Sequence, residues 1–135
     1  MKEEVVKKYV EDIDGLLEEL KNVILFDAMA VDLAYEGFVI FLFGRVFRYL
    51  NFDDIIIGKK VEELEGFDAI AYRNAEQIII EFKSYSSGFK NQLSKGYDPK
   101  NCDLIVCWKD DWGEECPVND VLELEYFWKK AQEKP

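Results

Sequence analysis

The sequence predicts a mixed α/β fold, an α+β arrangement on a mixed sheet, and three observations predict it. Apolar residues recur at helical spacing before residue 51. Short β-branched runs take over after it, and a gap long enough for a crossover separates the third run from the fourth. At 135 residues, 49% hydrophobic and 15% aromatic, the chain has apolar material for one core and too little length for two. Residues 1–135 are therefore read as one domain, divided into an N-terminal helix (1–22), a central core (33–108) and a C-terminal extension (109–135).

Val5, Val6, Tyr9, Val10, Ile13, Leu16, Leu17 and Leu20 fall three and four apart, which predicts one amphipathic helix over residues 3–21. The dense apolar run ending at Leu50 predicts a second, largely buried helix over 33–50. From there the period changes to that of strands. Residues 54–58, 67–73 and 77–84 predict an antiparallel meander, interrupted by the charged stretch 59–66 and by Asn74-Ala75. Ser86-Ser87-Gly88 ends the pattern, 89–95 predicts a short helix, and Tyr97-Asp98-Pro99-Lys100 a turn. Residues 104–108 predict a central strand. The eighteen residues between Ser84 and Asp103 suffice to set that strand parallel to the third. Residues 121–127 fit either an edge strand or a last helix.

Composition excludes several chemistries. There is no histidine, so serine–histidine and cysteine–histidine catalysis have no base. Cys102, Cys107 and Cys116 are odd in number and form no Cys-x-x-Cys pair, which argues against a zinc site or a secreted disulfide framework. They read as small hydrophobes. No apolar run approaches the roughly 20 residues of a membrane span. The opening Met1-Lys2-Glu3-Glu4 is unlike a secretory signal, so the expectation is a cytoplasmic protein with no membrane partner. The net charge of -11 opposes whole-surface binding of nucleic acid. One stretch differs: residues 83–100 hold Lys83, Lys90, Lys95 and Lys100 against Asp98 alone.

Glu81 and Lys83 stand two apart on a predicted strand, so both side chains leave the same face. A two-residue turn at Asn74-Ala75 sets Asp68 opposite Glu81, and a four-residue turn sets it opposite Lys83. A three-residue turn sends it to the other face. Two carboxylates meeting among apolar neighbours are costly unless neutralised, and a hard divalent cation neutralises them.

Glu36 on a helix, Gly66-Phe67-Asp68-Ala69-Ile70 and Ile79-Ile80-Glu81-Phe82-Lys83 together resemble the helix glutamate, aspartate and Glu-x-Lys of the PD-(D/E)XK nuclease superfamily. That superfamily includes restriction endonucleases and archaeal Holliday-junction resolvases. The resemblance covers roughly residues 33–108 and extends to the element order: helix, three strands, short helix, fourth strand. Gly96-Tyr97-Asp98-Pro99 and Cys102 to Trp108 further resemble a group of small prokaryotic proteins within it. Phe67 stands where the proline of the superfamily's name would be.

The resemblance implies a restriction-endonuclease-like core and a metal-dependent endonuclease-type phosphodiesterase acting on nucleic acid, DNA ahead of RNA. It implies Mg²⁺ or Mn²⁺ held by Asp68, Glu81 and Phe82, with Lys83 handling the water, Glu36 supporting the metal shell and Gln92 near the metal water. A homodimer follows by analogy, since two sites are needed to cut two strands. Each reading has a plainer rival. Glu36 also suits a helix start, Gln92 an exposed polar helix, and Lys90, Lys95 and Lys100 a solvated face rather than a phosphate track. Trp108, Trp112 and Trp128 suit a core or its rim better than base stacking. Asp110 and Asp111 read as loop acids, with a second metal as their other use. The chain as a whole suits, alternatively, a non-catalytic nuclease-fold binding or scaffolding module with a protein or nucleic-acid partner. It also suits an unrelated α+β domain in which Glu81 and Lys83 form a surface pair.

Overall fold

The computed structural model describes residues 3–23, 36–57, 68–113 and 115–133. Among them are five helices and one five-stranded mixed sheet with strand order β1-β2-β3-β4-β5. The helices are α1 (Glu3–Tyr9), α2 (Ile13–Lys21), α3 (Glu36–Val46), α4 (Lys90–Ser94) and α5 (Leu124–Glu133). The strands are β1 (Asp54–Ile57), β2 (Ala69–Arg73), β3 (Glu76–Tyr85), β4 (Leu104–Lys109) and β5 (Asp120–Glu123).

The N-terminal helix expected over 3–21 is two helices. Val10 bridges Leu50 in antiparallel fashion, and the amides of Glu11 and Asp12 donate to the Tyr49 carbonyl at 2.9 and 3.1 Å. Those amides cannot also serve a continuous helix. Asp12 then caps α2 by accepting from the Gly15 amide at 2.9 Å. Gly15 is required here: a Cβ would stand 2.6 Å from the Tyr49 ring. The helix expected over 33–50 is α3 followed by a 3₁₀ turn, Phe47–Tyr49. Residues 33–35 lie outside the described residues, as do Phe67, Gly58 and the charged stretch 59–66.

β1, β2 and β3 form an antiparallel meander. The β2–β3 turn is the two-residue one, with Arg73 opposite Glu76 and both central residues left-handed, Asn74 at φ 51° and Ala75 at φ 66°. β4 runs parallel to β3, with Glu81 beside Ile105 and Lys83 beside Cys107. The residues after β4 supply both forms the sequence allowed: β5, parallel to β4, and then α5. No helix among the described residues is long and apolar enough to cross a membrane.

The sheet has a core on each face. Ile78, Ile80, Phe82, Leu104, Val106, Trp108 and Leu122 join α2, α3 and α5 in the larger one, where Phe43 meets Phe82 edge-on at 5.2 Å. Phe89, Cys102, Ile105, Cys107, Trp112, Val118 and Val121 make a smaller cluster on the opposite face. Cys102 and Cys107 are free thiols inside this packing. Burial pushes Cys102 up to about 12 and Cys107 well above its ordinary value, so both behave as small hydrophobes.

Candidate metal and phosphodiester site

The two-residue turn decides the site. Ala69 pairs with Ile80, so one step earlier Asp68 stands across from Glu81, on the face that Glu81 and Lys83 share. The Asp68 amide donates to the Ile80 carbonyl at 3.1 Å, and the Phe82 amide donates to Asp68 Oδ2 at 2.9 Å. Both bonds fix the Asp68 carboxylate against the middle of β3. Phe82 itself can offer a cation only its main-chain oxygen, because its ring is fully buried in the larger core.

Glu81 is 1% exposed. Its Oε1 accepts from Gln92 Nε2 at 2.6 Å and lies 3.5 Å from Lys83 Nζ. Lys83 Nζ is also 4.0 Å from Glu36 Oε1, so the helix glutamate reaches the site through the lysine. Burial raises the Glu81 carboxyl to about 8, the negative charges of Asp68 and Glu36 add to this, and Lys83 opposes it. Glu36 is raised as well, first by burial and then by Asp68, against the pull of Lys83.

Among the described residues two buried acceptors have no donor, Glu81 Oε2 and Gln92 Oε1. Each carries a desolvation cost of roughly 1–3 kcal/mol unless something meets it. A proton on Glu81, which makes that carboxyl neutral, or a cation at its free oxygen lowers the cost there. The donor set is entirely oxygen, which suits Mg²⁺ or Mn²⁺ and not zinc. Among the described residues no three of His, Cys, Asp and Glu converge as a metal cluster. A cation here would therefore take Asp68 and Glu81 and fill its other positions with water and substrate oxygens.

No family model matches the chain, and neither a curated protein nor a solved structure matches it. The site therefore rests on its own geometry. Asp68, Glu81, Lys83, Gln92 and Glu36 are brought together, and the three other lysines are not. Lys90 opens α4 and lies 5.0 Å from the Trp112 ring centroid. Lys95 caps the other end of α4 and is exposed. Lys100 lines a depression with Lys8, Ile78, Asp103 and Asp120 at the N-terminal ends of β3, β4 and β5, the end from which those strands run toward Lys83 and Lys109. The tryptophans are core and rim: Trp108 and Trp112 are buried, and Trp128 donates to the Val23 carbonyl at 3.2 Å.

Sequence reasoning missed one arrangement. Asp110 and Asp111 hold the residues that follow β3. Ser86 Oγ donates to Asp110 Oδ1 at 2.7 Å and accepts from the Asp111 amide at 3.0 Å. The Ser87 amide and hydroxyl donate to Asp111 at 3.1 and 3.0 Å. Short polar residues 24 or 25 positions apart leave no local pattern from which such a pairing can be read.

Proposed function

We propose that the chain is a metal-dependent phosphodiesterase of the endonuclease type acting on nucleic acid, DNA ahead of RNA. The observation that carries this reading is the fully buried Glu81, its Oε2 without a donor, fixed beside Asp68 with an ammonium group 3.5 Å away. A buried carboxylate pair with one lysine is costly as a structural device and useful as a cation site. The element order supports a restriction-endonuclease-like core: α3, the antiparallel β1–β3, α4, then β4 parallel to β3.

Asp68 and Glu81 would hold Mg²⁺ or Mn²⁺, with the Phe82 main-chain oxygen as a third donor. The bound ion would supply charge to offset the phosphate and acidify water. Asp68 is oriented for this by the Phe82 amide. Gln92 holds Glu81 Oε1, so the carboxylate cannot turn away. Lys83, kept close by Glu81 and Glu36, is placed to orient the attacking water or to meet charge developing on the phosphate. A homodimer would pair two such sites for two strands.

The net charge of -11 favours a second reading, a nuclease fold serving as a binding or scaffolding module with a protein partner. Turnover separates the two. Purified protein incubated with Mn²⁺ and labelled duplex, single strand, four-way junction and RNA is expected to cut at least one, and Lys83→Ala to lose at least a hundredfold. Identical behaviour of wild type and Lys83→Ala on all four substrates would retire the enzyme.

A further inference from the structure

Between the C-terminal ends of β3 and β4 lies a polar knot that touches neither carboxylate of the site. Ser86 is fully buried. Its hydroxyl is fully used, donating to Asp110 Oδ1 at 2.7 Å, with Asp111 Oδ1 at 3.4 Å, and accepting from the Asp111 amide at 3.0 Å. Asp111 takes the Ser87 amide on one oxygen and the Ser87 hydroxyl on the other, a two-point grip. The Asp110 amide in turn donates to Glu123 Oε2 at 2.7 Å, which ties the knot to the end of β5. Trp112, next in sequence, receives Lys90, the first residue of α4, against its ring.

The segment so held, residues 86–90, carries two things the site needs. Gly88 lies over the Lys83 stem, where an added Cβ would stand 3.3 Å from Lys83 Cδ. Gln92, one turn further on, supplies the 2.6 Å bond to Glu81. Five-residue α4 has no capping side chain, so its own hydrogen bonds do little to set where it starts.

We propose that Asp111, acting with Ser86 and Ser87, is a positioning residue: it fixes where α4 begins and thereby holds Gln92 on Glu81 and Gly88 over Lys83. The proposal rests on the reading of Glu81 as a cation ligand only for its functional consequence; the mechanical link stands without it. It also assigns Asp110 and Asp111 a role other than a second metal, since both carboxylates are engaged by serine.

The test reads Gln92 directly. In metal-free, full-length, ¹⁵N-labelled protein, the side-chain amide of Gln92, assigned by its disappearance in Gln92→Ala, is expected well displaced from the free-glutamine position. In Asp111→Ala it should return toward that position. Asp111→Asn, which keeps an acceptor for the Ser87 amide and a donor for its hydroxyl, should restore it. Val118→Ala supplies a variant destabilised at a neighbouring site and should leave the Gln92 signal in place, which separates positioning from general loosening. If Asp111→Ala fails to fold, Ser87→Ala removes one bond of the grip and should move the signal part-way. Calorimetry with Mn²⁺ then gives the consequence: roughly tenfold weaker binding in Asp111→Ala and near wild-type binding in Asp111→Asn. An unmoved Gln92 resonance in Asp111→Ala or Ser87→Ala overturns the proposal. Wild-type protein that ignores Mn²⁺ sinks the cation site instead, and the amide signal still decides the clamp.

Discussion

Along β3, Ile78, Ile80 and Phe82 enter the core beneath α2 and α3, while Glu81 and Lys83, interleaved with them, face the other way. One side of the strand is dry, aromatic and covered by helices. The other carries a buried acid, an ammonium group and an amide under one short helix and two loops. The apolar side accounts for the rigidity of the strand, and that rigidity lets the charged side hold an unfavourable arrangement in place. A carboxylate at 1% exposure would otherwise turn outward to water.

The contrast can be broken from its strong side first. Phe82→Ala removes a fully buried ring that meets Phe43, and should cost about 3–5 kcal/mol in urea unfolding. A loss below about 1 kcal/mol would mean that the dry face is not what braces β3. The charged side should behave oppositely. Glu81 holds its proton up to about pH 8 when folded and only to its ordinary 4.5 when unfolded, so the native state binds more protons between those values. Stability should then fall as pH rises through that window, at up to about 1.4 kcal/mol per pH unit. Glu81→Gln should flatten the slope, and Mn²⁺ should bind wild type more tightly toward alkaline pH as the proton is displaced. A wild-type melting temperature that does not decline between about pH 5 and pH 8 contradicts this account of the acid.

A smaller effect sharpens the comparison by splitting stability from function. Gly88→Ala presses a methyl toward the Lys83 stem. It should lower turnover about fivefold while leaving stability unchanged or higher by about 0.5–1 kcal/mol, since alanine has fewer unfolded conformations to lose. Parallel losses of both would place Gly88 in the packing rather than over the lysine. Smallest of all, Ala75→Gly relieves a left-handed alanine in the hairpin turn and should add about 1 kcal/mol without altering Mn²⁺ affinity.

Much of this was legible in the residues because it depends on local period. Alternation along 77–84 set Glu81 and Lys83 on one face, and the length from Ser84 to Asp103 allowed a parallel fourth strand. The turn at Asn74-Ala75 left Asp68 open between two partners and a wrong face, and the observed register pairs it across from Glu81. Gln92 was placed near the site by resemblance, and it touches Glu81. What could not be read is tertiary. The apolar stripe runs unbroken from Val5 to Leu20, so nothing local marks the break that Leu50 and Tyr49 impose at Val10, Glu11 and Asp12. The lysine-rich stretch is continuous in sequence, yet the turn after α4 carries Lys100 to the opposite end of the strands from Lys83. Residues 121–127 fitted strand or helix because the chain changes from one to the other at Leu124.

The hairpin turn carries a consequence for engineering and for drift. Surface turns are commonly where an extra residue is harmless. Here the length of the loop matters less than which residues pair across it: a slip that set Arg73 against Gln77 would deliver position 68 to the helix-covered face and leave the acid on β3 without its neighbour. A scan of the hairpin should therefore find that an inserted residue which leaves Arg73 opposite Glu76 is tolerated, while a change that shifts the pairing by one residue costs the site.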